Sequence, residues 1–178
     1  MTMHSKKLIG KTIDLAHLNN LTVEEATDSF MQCCTATTWV ARMVNARPFI
    51  DQQDLVSKAD KAWQGLEEAD YLEAFEGHPQ IGNVATLRAK YANTKALASG
   101  EQSSVSEATE KVLEALAKGN ADYLAKFGFI FIVCATGKSA AQMLALLQAR
   151  LPHNKSTELA NAAEEQRKIF HLRLEKLL

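Results

Sequence analysis

Proline is scarce in this chain: Pro48, Pro79 and Pro152 are the only three in 178 residues. Each lacks a backbone N–H and breaks a regular helix, and the stretches between them are rich in Ala, Leu, Glu, Lys and Gln, the strong helix formers. Helix should therefore dominate, and the expected fold class is all-α, a compact bundle of seven or eight helices. A chain of this length suits a single domain over residues 1–178, because domains typically hold about 100–200 residues and can bury a sizeable core without disulfide staples. No internal repeat, low-complexity tract or linker divides it.

Local signals place most of the helices. Thr22 and Glu25 have the spacing of a capping box, and Val23, Ala26, Phe30 and Cys33 follow at near-helical spacing. The pattern continues from Thr35 to Ala46 as one helix or two, until Pro48 disfavours helical geometry at Arg47. Asp51 can cap a helix with Leu55, Ala59, Ala62, Trp63 and Leu66 on one face, and Tyr71, Leu72 and Phe75 suggest a short continuation ending at Gly77. Between Gly77 and Gln102 the periodicity fades, although Leu87 to Ala98 can be helical. So long an unpatterned segment is uncommon in a compact domain unless it has a function. Ser104 and Glu107 form a second capping box before Val112, Leu113 and Leu116, with Gly119 as terminator, Asn120 as the start of a further helix and Gly128 as its end.

Phe129-Ile130-Phe131-Ile132-Val133-Cys134-Ala135 is solidly apolar and β-branched. It is the one place where a strand is the natural local reading, with a buried segment of a helical protein as the rival. Ser139 then caps a helix carrying Met143, Leu144, Leu146, Leu147 and Leu151, stopped by Pro152. The last helix begins near Ser156 or Thr157 and presents Leu159, Ala162, Gln166, Ile169, Arg173 and Leu177 along one side.

Charge and cysteine usage narrow the partners. Lys and Arg number 20 against 21 Asp and Glu, so the strong positive field of a nucleic-acid binder is missing and no such partner is expected. The longest apolar run, Phe127 to Ala135, falls far below the ~20 residues that span a bilayer, so no membrane association is expected either. Cys33, Cys34 and Cys134 are odd in number and two are adjacent, which is no disulfide framework and points to a reducing compartment. Leu8-Ile9-Gly10 is too short for the apolar core of a signal peptide, and the chain ends Glu175-Lys176-Leu177-Leu178 rather than on a peroxisomal tripeptide. A cytoplasmic location is the resulting expectation.

Few residues are placed for chemistry. Cys-x-x-Cys and His-Glu-x-x-His are absent, and His4, His17, His78, His153 and His171 are scattered, so no metal site is expected. Gly137-Lys138-Ser139 imitates the tail of a phosphate loop but lacks the preceding glycine of that motif, and a turn with a Ser helix cap is the better reading. Cys34 and Cys134 lie among apolar residues, without the base and electropositive setting that a nucleophilic thiolate needs.

His78 is different. It lies in Gly77-His78-Pro79-Gln80-Ile81-Gly82, a Gly-flanked and Pro-fixed loop where a polar side chain has no apolar face to join. An imidazole with an unperturbed pKa of about 6.5 is suited to exchange a proton at neutral pH. Glu101 occurs in the other irregular stretch, Ala98-Ser99-Gly100-Glu101-Gln102-Ser103, where a carboxylate can orient or charge an imidazole. Arg173 falls on the expected inward face of the last helix, where a guanidinium needs an anion. Taken singly, each has an ordinary alternative: a structural or exposed loop histidine, a solvated loop charge, a snorkelling arginine near a helix end.

Together these segments resemble the OHCU decarboxylase family, named for 2-oxo-4-hydroxy-4-carboxy-5-ureidoimidazoline. The resemblance covers nearly the whole chain and rests on the order and spacing of five segments. They are Cys33-Cys34 through Trp39 to Arg47-Pro48-Phe49, then His78-Pro79-Gln80-Ile81-Gly82, Glu101-Gln102, Phe127-Gly128-Phe129 through Cys134-Ala135, and Arg173-Leu174. It implies an all-α fold peculiar to the family, a homodimer, no cofactor, and a catalytic group at His78, Glu101 and Arg173. It also implies substrate contacts at Pro79, at Ala98, Ser99, Gly100 and Gln102, and along the main chain of Phe131, Ile132, Val133, Cys134 and Ala135. One position departs from the pattern: the family commonly has serine where this chain has Ala98, with Ser99 next. A hydroxyl contact would then be lost, moved to Ser99 or replaced by main chain.

The activity implied by the resemblance is decarboxylation of OHCU to (S)-allantoin in urate breakdown. That substrate carries its carboxylate on a ring carbon beside a C=N bond, so electrons released as CO2 departs can flow into the unsaturation without an external sink. The protein would hold the carboxylate out of the ring plane, stabilise developing charge and deliver one proton to one face. On this reading His78 is the proton donor or shuttle, Glu101 orients and tunes it, and Arg173 binds an anionic oxygen. Two other readings of the residues stay open. One is a non-catalytic helical interaction module with His78 structural; the other is an enzyme acting on another small ureido compound of purine breakdown.

Overall fold

The computed structural model describes residues 12–79, 83–91 and 102–178, the stretch 102–108 from its backbone alone. Among the described residues there are nine α-helices and no strand. They are α1 (Leu15–Asn20), α2 (Val23–Met31), α3 (Thr37–Asn45), α4 (Gln52–Trp63), α5 (Glu68–Glu76), α6 (Val84–Tyr91), α7 (Gln102–Phe127), α8 (Ala140–Arg150) and α9 (Lys155–Leu177). The all-α expectation holds, with more helices than the sequence pattern suggested. No described helix is long and apolar enough to cross a membrane. By contact, the chain forms two compact units, one running to Ala74 and resuming at Arg167–Leu178, the other Phe75–Gln166.

In the first unit, helix starts follow from short polar side chains that satisfy otherwise orphaned N–H groups. Asp14 accepts from His17 N at 2.7 Å to open α1, a helix that carried no sequence expectation. The Thr22–Glu25 box opens α2 with both reciprocal bonds, 3.2 and 3.0 Å. Asp51 accepts from Asp54 N at 2.7 Å to open α4. Of the two readings for Thr35 to Ala46, the broken one is realised: Cys33 N and Cys34 N both donate to Phe30 O, and the Thr35 hydroxyl donates to the Glu73 carbonyl at 3.0 Å. α5 stops at Glu76, before Gly77, as expected. Two face assignments fail. Val23 is 67 % exposed on the first turn of α2, and Leu66 lies beyond α4, which ends before the left-handed Gly65 (φ 67°).

The apolar residues of this unit converge on an aromatic cluster. Trp39 stacks on Phe170 at 4.9 Å between ring centroids, Phe30 meets Trp39 and Phe49 edge-on, and Trp63 meets Phe170 and Tyr71. Phe30, Trp39 and Phe170 are completely buried, and full burial of such a side chain contributes roughly 1.5–3 kcal/mol. Trp39 also donates its indole N–H to Ala59 O at 3.1 Å, so its one polar atom is satisfied.

In the second unit the expectation of two helices between Ser104 and Gly128 is wrong. α7 is continuous over 26 residues, begins at Gln102, and carries Ser104 and Gly119 inside it. Ser and Glu three apart are also ordinary surface neighbours on a helix, so the box pattern alone does not fix a start. Gly119 is buried at the contact of α7 with α8: a Cβ there would lie 2.5 Å from Leu147 Cδ2 and 3.2 Å from its Cγ. The glycine lets two helices approach and does not end one. Leu147 is itself completely buried and has little room to yield. Gly119→Val is therefore expected to lower unfolding stability by roughly 1–3 kcal/mol in a denaturant titration, overpacking outweighing the small gain in helix propensity. Gly128 does terminate α7, in the left-handed conformation at φ 79°.

Residues 129–135 form no strand. Apolar, β-branched composition suits a pleated ladder, but a strand also needs a neighbour to receive its N–H and C=O groups. Here Ile132 O accepts from Arg150, Cys134 O accepts from Lys138 Nζ at 2.7 Å, and Phe129 and Ile132 are buried as an irregular segment. Ser139 and Gln142 form a complete capping box on α8. α9 starts one residue before Ser156, with Asn154 Oδ1 accepting from Thr157 N at 2.8 Å.

Candidate functional site

His78 follows α5 in the second unit, its own N–H donating to Phe75 O at 3.1 Å, which fixes the loop's exit from the helix. Its side chain is half-buried, and Nε2 lies 2.5 Å from Gln166 Oε1, on α9. Because the facing atom is an amide oxygen, the imidazole donates. Gln166 is completely buried, and among the described residues its Nε2 has no hydrogen-bond partner. Pro79 is exposed immediately after His78.

The segment Phe131–Ala135 belongs to the same unit and is anchored through its carbonyls. The Arg150 guanidinium, 8 % exposed, donates Nη1 to Ile132 O at 2.5 Å, Nε to Glu158 Oε1 at 2.6 Å and Nη2 to the Tyr123 hydroxyl at 3.3 Å. It also lies 4.6 Å from the Phe131 ring centroid. Glu158, fully buried, further accepts from Tyr123 Oη, Asn161 Nδ2 and His153 Nδ1 at 2.6, 2.7 and 2.9 Å. Burial pushes the Glu158 carboxyl up, but hydrogen bonds from Tyr123, His153, Asn161 and Arg150 outweigh it and hold the group below the ordinary carboxylate range. Burial likewise raises the Tyr123 hydroxyl, so it stays protonated and donates. With carbonyls 132 and 134 taken by cations, no N–H from residues 131–135 donates a hydrogen bond among the described residues. Gly137 (φ 74°), Lys138 and Ser139 are a turn and a helix cap, as the sequence suggested.

Arg173 belongs to the first unit. It is half-buried, and its Nη1 donates to Cys33 O at 3.4 Å. Among the described residues no carboxylate pairs with it. Burial pushes the Cys33 and Cys34 thiols up to about 12, against the nearby Arg173 charge, so both are inert thiols at neutral pH. Cys134 is half-buried. Glu101, Ala98, Ser99 and Gly100 lie outside the described residues, and Gln102 stands at the first position of α7. Among the described residues no group of three or more His, Cys, Asp or Glu could hold a metal ion.

Sequence reading missed three features. Gln166 was read as one more residue of the α9 face. The fully buried register of that helix is Glu158, Ala162, Gln166, Phe170 and Leu174; Leu159, Ile169, Arg173 and Leu177 only flank it. Two polar residues on an i, i+4 apolar stripe were the available signal. Arg150 was likewise hidden at a helix end. In the first unit, His171 Nε2 meets Asp60 Oδ1 at 2.5 Å and Arg167 Nη1 meets it at 3.3 Å, an ion cluster tying α4 to α9.

The sequence model of one protein family, described as OHCU decarboxylase, matches residues 19–175. The uric acid degradation bifunctional protein TTL of Arabidopsis thaliana is 33 % identical over 157 residues, 88 % of this chain and 48 % of that protein. The chain thus spans about half the length of that relative. The 2-oxo-4-hydroxy-4-carboxy-5-ureidoimidazoline decarboxylase of Haloferax volcanii is 27 % identical over 163 residues, 91 % of this chain and 94 % of that one. A crystal structure of OHCU decarboxylase in the presence of (S)-allantoin is 35 % identical, with a TM-score of 0.66 over 83 % of this chain and 95 % of the other. An (S)-allantoin synthase structure, 17 % identical, shares the fold at a TM-score of 0.66 over 93 % of this chain and 54 % of its own. Fold and sequence agree on a class of all-α decarboxylases. The chain belongs to the OHCU decarboxylase family.

Proposed function

We propose that this protein decarboxylates OHCU to (S)-allantoin in urate breakdown, as one domain over residues 1–178 that needs no cofactor, acts as a homodimer and resides in the cytoplasm. The observation that carries the reading is the family match over residues 19–175, which takes in His78, Glu101 and Arg173. The reaction is balanced by the substrate itself. As the bond from the ring carbon to the carboxylate breaks, its electron pair forms a C=C bond to the ureido-bearing carbon, the C=N pair retreats onto the ring nitrogen, and CO2 leaves. One proton is then taken up on the carbon bearing the ureido group, while the neighbouring hydroxyl becomes a carbonyl and its proton is made good on the ring nitrogen. The face that receives the proton sets the handedness of the product.

In this reading His78 delivers that proton, Glu101 tunes it, and Arg173 holds an anionic oxygen of the substrate. A half-buried guanidinium with no carboxylate partner among the described residues supports the last role. Pro79, the Ala98 to Gln102 stretch and the N–H groups of Phe131 to Ala135 complete the contacts, the N–H groups adding neutral donors where negative charge develops. The test supplies OHCU freshly made from oxidised urate and hydroxyisourate hydrolase, and measures CO2 release. Release should rise in proportion to protein and survive exhaustive dialysis against a chelator; a spontaneous rate at all protein concentrations contradicts the reading. Arg173→Lys should lower kcat/KM roughly tenfold, because an ammonium keeps the charge but loses the planar fork that binds two oxygens at once. An unchanged kcat/KM rejects that role.

A further inference from the structure

We infer that Gln166 is a positioning residue for His78, holding the ring as its Nε2–H tautomer so that proton exchange takes place at Nδ1. The inference rests on the reading of His78 as the acid/base group. Its geometry is the 2.5 Å contact between His78 Nε2 and Gln166 Oε1, made by a half-buried ring and a completely buried amide. An amide oxygen can only accept, so the ring nitrogen facing it must carry hydrogen. That bond is available to both the neutral ring and the imidazolium, and the amide does not titrate. Nε2 therefore keeps its hydrogen through the whole cycle, and the second nitrogen is left to gain and lose the proton. A carboxylate in the same place would favour the charged ring and hinder proton release.

The second observation is that the other end of the amide is wasted. Gln166 Nε2 is buried without a hydrogen-bond partner among the described residues, on a helix register where the residues four before and four after it are the apolar Ala162 and Phe170. Burying an unmet donor is unfavourable, and an apolar side chain of the same length would fill the position better. The amide is thus poorly explained as a packing residue and well explained as an acceptor for the imidazole.

Gln166→Met and Gln166→Glu, compared with the parent by melting, steady-state kinetics and nitrogen-15 NMR of the His78 ring, test this. Gln166→Met should lower kcat about tenfold with KM changed less than about threefold, since the interaction positions a reacting group and does not bind substrate. Its melting temperature should stay level or rise, and the Nδ1–H tautomer should gain population. Gln166→Glu should preserve the Nε2–H form and move the ring's titration midpoint alkaline by about one unit, the carboxylate favouring imidazolium. A parent ring already in the Nδ1–H form overturns the inference. So does a Gln166→Met protein that melts lower with unchanged kcat, the behaviour of a merely structural residue. The tautomer and melting measurements need no substrate, so a parent that fails to turn over OHCU would defeat the functional reading while leaving Gln166 to be decided separately.

Discussion

His78→Asn should remove most of the decarboxylation rate, by about 10²–10⁴-fold, the range over which a positioned acid/base group contributes. Asparagine can still offer an N–H toward Gln166, and the backbone bond from residue 78 to Phe75 O does not depend on the side chain. The fold should therefore survive, with the far-ultraviolet dichroism and melting temperature close to the parent's. What is lost is the ability to exchange a proton near neutral pH, because an amide has no accessible pKa there. Single-turnover mixing of enzyme with fresh OHCU checks this. Near-normal turnover in His78→Asn would remove His78 from the chemistry, whatever its place in the fold.

Arg150→Met should be the most destabilising of the substitutions considered, costing about 3–5 kcal/mol, because it strands the fully buried Glu158 carboxylate without its cation. Tyr123, Asn161 and His153 remain as donors, but none of the bonds they make replaces the guanidinium, which also holds Ile132 O. Removing both charges, as Arg150→Met with Glu158→Leu, should recover much of the loss, since an apolar pair of similar volume avoids desolvating either ion. Urea unfolding of the two variants beside the parent measures this, and equal stability of Arg150→Met and parent would contradict the assignment. The same network sets an acid limit. The Glu158 carboxyl sits below its ordinary value of 4.5 in the folded protein, so its stabilising contribution is present above that value and is lost as pH falls through the lower folded one. Acid unfolding should accordingly begin below 4.5 and lose part of its steepness in Glu158→Gln.

The parts of this fold that could be read from the sequence are those decided within three or four residues. Thr22 with Glu25, Asp51 with Asp54, and Ser139 with Gln142 cap their helices through contacts that local spacing dictates. Gly119 and Gly128 are the same residue in similar settings, yet one ends α7 and the other lies inside it. Leu147, on a different helix, makes the difference, and no local pattern reports it. The apolar run after Gly128 was ambiguous for the same reason: a strand requires a pairing neighbour, and the groups that take its carbonyls instead are Arg150 and Lys138. His78 was conspicuous because it stands in an irregular, Pro-fixed loop. Its partner Gln166 is 88 residues away and becomes visible only when α9 is folded against that loop.

The most direct test of the central claim is the optical activity of allantoin formed from freshly generated OHCU. With the protein present, product should appear faster than the spontaneous rate and as the single (S) enantiomer, because a fixed proton donor serves one face of the ring. His78→Asn should return the product to the racemate. Racemic allantoin formed at the spontaneous rate by the intact protein would contradict the account.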